Sequence, residues 1–172
     1  MPVLLLPHAY RERLAWERVL VPISGEPAAE EALALTVRLA DLLDLDVHVA
    51  HVSDEHTGDE SLAARAQYAD ALHHEYPRQP DELISGALPR CTPQECRRIA
   101  DVALCQGDVA AQLLALVEQK RISLLAVGWH GRFIAGHARV LKNVIEVITT
   151  PVLLAKREAR TSFRLKVGQE IE

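Results

Sequence analysis

Residues 124–154 read LLAVGWHGRFIAGHARVLKNVIEVITTPVLL. The apolar run from Ser123 to Val127 is typical of a buried strand, and the turn Gly128-Trp-His-Gly131 interrupts it. An amphipathic segment follows over residues 133–148, and a second apolar strand covers Val152 to Ala155. This order of strand, glycine turn, helix and strand predicts a βαβ unit of a parallel sheet.

The glycine turn has two interpretations. Glycines at the carboxyl end of a strand let backbone N–H groups approach an anion, with the positive end of the next helix behind them. Many tight turns between a strand and a helix also need glycine for its backbone conformations alone. Gly128 and Gly131 by themselves therefore leave both interpretations open.

The same alternation of strand and helix extends over most of the chain. Apolar, β-branched runs predict strands at residues 18–23, 46–52, 99–105, 122–127 and 151–155. Apolar residues at helical spacing predict helices at residues 28–43, 60–75, 109–119 and 133–148. The proline-rich residues 76–93 predict broken helix. Five strands and four helices in alternation favour a parallel sheet with right-handed crossovers.

The glycine turn and the Thr150-Pro-Val-Leu153 that follows the last helix resemble the C-terminal part of the universal stress protein family. Nucleotide-binding members of that family carry the motif Gly-x2-Gly-x9-Gly-Ser/Thr. Here Leu141 and Lys142 stand at the last two motif positions, so only the first half is present. Ser24 likewise stands where the first turn of the family commonly has an Asp.

The resemblance covers about Trp16 to Lys156 and implies an α/β fold. It implies a single doubly wound five-stranded parallel sheet of order 3-2-1-4-5 with helices on both faces, similar to the adenine nucleotide alpha hydrolase-like fold. We expect an N-terminal extension at 1–17, the domain at 18–156 and a basic polar tail at 157–172. The extension is interpreted as a docked arm with a short helix around Tyr10 to Trp16.

In such a sheet, ligands bind beyond the carboxyl ends of the strands where the strand order reverses. The resemblance implies that adenosine would lie over the first two strands and phosphates at the glycine turn, with a positive charge from the last helix. The residues expected at this crevice are Pro22, Ser24, Val47, Val127, Gly128, His130, Gly131, Lys142 and Asn143.

No nucleophile lies in a context that supplies a matching base, and no metal-ligand cluster is evident. His48 and His51 are three residues apart on a predicted strand, so their side chains point to opposite faces. We therefore predict no catalytic residue and no bound metal.

Three functions follow. The incomplete motif favours a stress-response or regulatory module with weak or lost ATP binding, no cofactor and an unidentified protein partner. The alternative is a universal stress protein that binds ATP or AMP at Ser24 and Gly128–Gly131. The third is a hydrolase or transferase on this fold.

Composition and charge limit the class of protein, its partners and its cellular compartment. The chain has 172 residues, 49% of them hydrophobic, and a formal net charge of −5, which indicates a globular domain and argues against nucleic acid as the main partner. No apolar run approaches the roughly 20 residues that span a bilayer. The three cysteines have no Cys-x2-Cys spacing and suit a reducing compartment. We predict a cytoplasmic protein without a membrane partner.

The last predicted strand, at residues 151–155, lies at the edge of the sheet in the implied order. An exposed edge strand leaves unpaired N–H and C=O groups that invite pairing with another chain. The resemblance also implies association through this strand. We predict a homodimer in which the two last strands lie antiparallel across a two-fold axis.

Overall fold

Six strands form one mixed sheet in the computed structural model, which describes residues 2–8, 10, 16–24, 27–53, 84, 88–129 and 139–156. The strands are β1 (Val3–Leu5), β2 (Arg18–Pro22), β3 (Asp46–Ser53), β4 (Ile99–Gln106), β5 (Leu124–Trp129) and β6 (Val152–Lys156). The helices are α1 (Pro27–Leu43), α2 (Pro93–Cys96), α3 (Val109–Gln119) and α4 (Arg139–Val147), with one 3₁₀ turn at Leu88–Arg90.

The strands lie in the order β1-β6-β5-β2-β3-β4. All neighbours from β6 to β4 pair in parallel, and β1 pairs antiparallel with β6. The prediction of a purely parallel sheet of five strands is therefore wrong, because a sixth strand joins it. The five parallel strands keep the relative order that the resemblance implied, with β2 between β3 and β5.

The sixth strand comes from the N-terminal extension. Val3 pairs with Leu154 and Leu5 with Val152, so the extension contributes a strand to the outer side of β6. The predicted helix around Tyr10 to Trp16 lies mostly outside the described residues. The prediction that β6 has an unpaired edge, on which the homodimer was based, is wrong, because β1 pairs with that edge. The homodimer itself stays a prediction.

Alternate residues of the central strands pack on opposite faces of the sheet, as expected for a strand covered on both sides. In β2, Val19 and Val21 pack with Leu33 and Val37 of α1 in one core cluster. Leu20, between them, belongs to the second cluster. All five side chains are fully or almost fully buried. The helices thus lie on both faces, as predicted.

The second cluster joins α3 and α4 to the other face of the sheet through Leu113, Leu116 and Val144. Helix α3 has the predicted bounds because its start is well marked. The Asp108 carboxylate accepts a hydrogen bond from the Ala111 N–H at 2.8 Å, which caps the helix.

Other boundaries differ from the predictions. β5 begins two residues later than predicted, and Ser123, just before it, bonds to the start of β2: its hydroxyl accepts from the N–H groups of Glu17 and Arg18. Helix α2 and the 3₁₀ turn occur in and just beyond the segment predicted as broken helix. The predicted helix at residues 60–75, the start of the helix predicted at 133–148 and the polar tail lie outside the described residues.

Candidate functional site

A cavity of about 370 Å³ opens at the carboxyl ends of β2, β3 and β5. Since β2 lies between β3 and β5, this is the point where the strand order reverses, as the sequence predicted for the crevice. The strands contribute Pro22, Ala50, Val52, Leu125, Val127 and Gly128 to its lining.

The walls of the cavity come from the helices and from the segment after β2. Val109 and Leu113 of α3 lie on one side, and Val140, Leu141 and Val144 of α4 also line it. Four of them, Val109, Leu113, Leu141 and Val144, belong to the second core cluster, because the apolar stripes of both helices face the sheet, whereas Val140 is partly exposed. The cavity is therefore built largely from aliphatic groups.

Two backbone contacts fix the segment that carries Ser24. The Ile23 N–H donates to the Ala50 carbonyl at 2.8 Å, and the His51 ring donates from Nδ1 to the Ile23 carbonyl at 3.1 Å. His51 is thus a strand histidine whose ring bonds to the backbone. The contacts hold Ser24 at the exposed rim of the cavity.

The His51 contact gives a testable stability effect. His51→Ala should lower the free energy of unfolding by about 1 kcal/mol, because the Ile23 carbonyl loses its side-chain donor. Urea denaturation measures the difference. His51→Asn is the matched control, since its amide can still donate and should recover part of the loss. Equal denaturation midpoints for all three proteins would contradict this role.

The structure brings together part of the predicted site. Pro22, Ser24, Val127 and Gly128 all line the cavity. His130 and Gly131 lie outside the described residues. Gly128 pairs with Ala155 within β5 and β6. Among the described glycines, positive φ occurs at Gly107.

Three predicted residues do not line the cavity. Val47 lies near the amino end of β3, the opposite end from the crevice, and is fully buried against α1. Lys142 and Asn143 lie on the exposed side of α4. Leu141, in contrast, does line the cavity. The residue that departs from the nucleotide-binding motif thus occupies the site.

Sequence reasoning missed the residues that α3 and the end of β3 contribute. Val52 lies with Ala50 on the face of β3 opposite to Val47, and the two-residue period of the strand was a usable signal for this. Val109 and Leu113 follow the Asp108 cap at helical spacing. Their position near the crevice depends on the packing of α3 over the sheet, which no local pattern gives.

Ser24 is the only polar side chain in the described lining, and that lining includes no charged residue. Nowhere in the described ranges do three or more His, Cys, Asp or Glu residues meet in a way that could hold a metal ion. Burial raises the pKa of the Cys91 thiol, and nearby Cys96 raises it further, which disfavours the reactive thiolate. The arrangement can bind a molecule, and the Ser24 hydroxyl has no carboxylate, imidazole or amine beside it among the lining residues described.

A titratable cluster lies elsewhere, between β3, β4 and the end of α3. The Asp101 carboxylate accepts a hydrogen bond from the Lys120 ammonium and lies 3.7 Å from the His48 ring Nδ1. The hydrogen bond from Lys120 is the largest cause that holds the pKa of Asp101 below its ordinary value. None of the three residues lines the cavity.

The lowered pKa of Asp101 gives a pH dependence. The folded protein binds this proton less readily than the unfolded chain, so the interaction adds stability above the ordinary pKa of the carboxyl. That stability is lost as the pH falls through the lowered pKa. Asp101→Asn should cost about 1 kcal/mol or less at pH 7, because the site is partly exposed. The deficit should shrink as the pH falls below about 4. Urea unfolding across this range measures it, and a deficit independent of pH would contradict the assignment.

Comparisons with known proteins place these features in a family. The model of the universal stress protein family matches residues 15–156. No curated protein sequence matches the chain. In the described part of the chain, no helix is long and apolar enough to cross a membrane.

Several solved structures share the fold. A universal stress protein from Burkholderia pseudomallei has 21% identity and a TM-score of 0.55, and the match covers 86% of this chain and all of that one. A universal stress protein in complex with cAMP has 16% identity and a TM-score of 0.54, covering 83% of this chain and 98% of that one. An Arabidopsis thaliana family protein with AMP bound has 17% identity and a TM-score of 0.53, covering 83% and 93%.

At these identities the solved structures establish the fold, and the family model establishes the relationship. The match of that model runs from just before β2 to the end of β6 and includes the whole crevice described above. The chain belongs to the universal stress protein family.

Proposed function

We propose that the protein is a regulatory, non-catalytic member of its family in which ATP binding is weak or lost. The observation that carries this proposal is the side chain of Leu141, which lines the cavity at the motif position of the second phosphate-binding glycine. Phosphate binding at a helix N-terminus needs close approach to backbone N–H groups. A leucine side chain in the first turn of α4 obstructs that approach.

The charges near the cavity support the same conclusion. Lys142, the residue that could neutralise a phosphate, is exposed on α4 and does not line the cavity. The described lining has no other cation. An anion placed against aliphatic walls would lose hydration without gaining a partner. We therefore propose that the protein acts through a protein partner rather than through a bound nucleotide.

The second candidate function is ATP or AMP binding. Its support is Gly128, which lines the cavity, and the two solved family structures that contain cAMP and AMP. Calorimetric titration of the purified protein with ATP and with AMP separates the two functions. We expect no saturable heat with either nucleotide up to millimolar concentration. Micromolar or tighter binding would establish the second candidate instead.

We also propose a homodimer through β6 that forms when β1 leaves the edge. In support, β1 pairs with β6 in the antiparallel orientation that a second copy of β6 would take across a two-fold axis. A cytoplasmic location is part of the proposal, because the three cysteines are an odd number without Cys-x2-Cys spacing and suit a reducing compartment.

A further inference from the structure

The cavity that Leu141 lines has the size and surface of a small-molecule site. Its volume of about 370 Å³ falls in the range of ligand pockets, which are mostly apolar with a few placed polar groups. The aliphatic side chains of Val52, Leu113, Val127 and Val144 line it. Water in such a cavity finds few hydrogen-bond partners, so an apolar occupant gains by displacing it.

The polar groups of the cavity are at one end. Ser24 lies at the exposed rim, where the His51 and Ala50 contacts of Ile23 hold the backbone in place. A hydroxyl both donates and accepts a hydrogen bond, so it suits a neutral alcohol, amide or carbonyl. The inner lining in the described residues provides only side chains that cannot stabilise a charge.

We infer that the crevice of this protein binds an uncharged, chiefly aliphatic small molecule, with its hydrocarbon chain between the sheet, α3 and α4 and its one polar group at Ser24. This inference rests on the proposed function, since a site that accepted ATP would need a cationic or backbone-lined phosphate corner. The cavity would then bind a class of ligand different from the nucleotides.

The primary test is a series of straight-chain alcohols on the intact protein. 1-Hexanol, 1-heptanol and 1-octanol are titrated below their solubility limits, with calorimetry and the combined fluorescence of Trp16 and Trp129 as readouts. Trp129 packs on the same core face as Val127 of the cavity, so it reports on that side of the sheet. We expect the dissociation constant to fall about fourfold for each added methylene. Dissociation constants that do not change with chain length would overturn the inference.

The charge of the ligand is tested separately. Octanoate has the same length as 1-octanol but carries a carboxylate at neutral pH. We expect octanoate to bind at least tenfold more weakly than 1-octanol, because no described lining residue can pair with it. Octanoate that binds as tightly as the alcohol, or more tightly, would overturn the assignment of an uncharged ligand.

Two valines of α4 provide a matched pair of variants. Val140 lines the cavity and is 41% exposed, so Val140→Arg should fold and reduce 1-octanol affinity at least tenfold by placing a guanidinium at the wall. Val147 is 65% exposed and does not line the cavity, so Val147→Arg should bind like the wild type. Equal affinity in the two variants would contradict the site.

Ser24→Ala tests the position of the polar group and should weaken 1-octanol binding about 2- to 12-fold. Unchanged affinity would overturn the placement of the ligand's hydroxyl at Ser24.

The chain-length series needs only the wild type, so it decides the inference even if a variant fails to fold. ATP titration distinguishes failure of the proposed function from failure of the assigned ligand. Tight ATP binding refutes the proposed function, whereas failure of ATP and alcohols alike refutes only the assigned ligand.

Discussion

Leu141→Gly combined with Lys142→Ser should raise the affinity of the protein for ATP at least tenfold. The double variant restores the Gly-Ser pair of the nucleotide-binding motif and removes the side chain that lines the cavity. Residues 141 and 142 lie near the start of α4, which begins at Arg139 in the described chain, and the N-terminal end of a helix favours phosphate. Calorimetric titration of the variant and the wild type measures the gain.

The double variant also introduces a glycine into a helix, which costs about 1 kcal/mol relative to alanine. Val147→Gly is the matched control, because it loosens the same helix at an exposed position away from the cavity. We expect it to bind ATP no better than the wild type. If the control gains affinity as well, loosening of α4 explains the effect. If the double variant gains none, Leu141 is not what keeps ATP out.

The strands and helices that a local sequence pattern marks were predictable. The run Arg18 to Pro22 and the helix Val109–Gln119 have the expected positions, because an apolar strand and a capped amphipathic helix are each visible within about ten residues. The place of the crevice was also predictable, since it follows from strand order. Pro22 and Gly128 accordingly line the cavity.

The structure departs from the sequence-based expectation where long-range contacts decide. Val3–Leu5 is too short to show a period, and its strand conformation depends on pairing with β6, some 150 residues away. Val47 lies near the amino end of β3 and does not line the cavity, which the sequence does not reveal because a valine-rich strand looks alike along its length.

One local signal in the proline-rich region was available but overlooked. The Thr92 hydroxyl accepts from the Glu95 N–H, and the Glu95 carboxylate accepts from the Thr92 N–H, which forms a capping box. The sequence Thr-Pro-Gln-Glu has both the spacing and the proline that mark such a helix start. The short helix Pro93–Cys96 was therefore predictable from these four residues.

The pairing of β1 with β6 changes how the dimer must be tested. Lysine at Val152 and Leu154 would be the direct way to block an edge strand. Both side chains are almost fully buried in the core beneath α3 and α4. Placing two ammonium groups there would unfold the protein, since buried unpaired charges cost several kcal/mol each. The N-terminal arm has to be changed instead.

A chain that lacks residues 2–6 should dimerise at least 100-fold more tightly than the full chain. The deletion removes β1 and leaves the N–H and C=O groups on the outer side of β6 without partners, which favours pairing with a second β6. The full chain should run at its 19.0 kDa monomer mass at micromolar concentration, and the truncated chain at twice its own mass. Light scattering coupled to size exclusion measures both.

The matched control is Leu6→Lys, which removes an exposed apolar side chain of the arm but leaves β1 intact. It should stay monomeric, so that dimerisation of the truncated chain reports the uncovered edge rather than a change in surface polarity. A truncated chain that remains monomeric at 100 µM would show that β6 does not self-associate. If the full chain is already dimeric with β1 in place, the interface does not involve the edge of β6. β1 and a partner strand compete for the same hydrogen-bonding groups of β6.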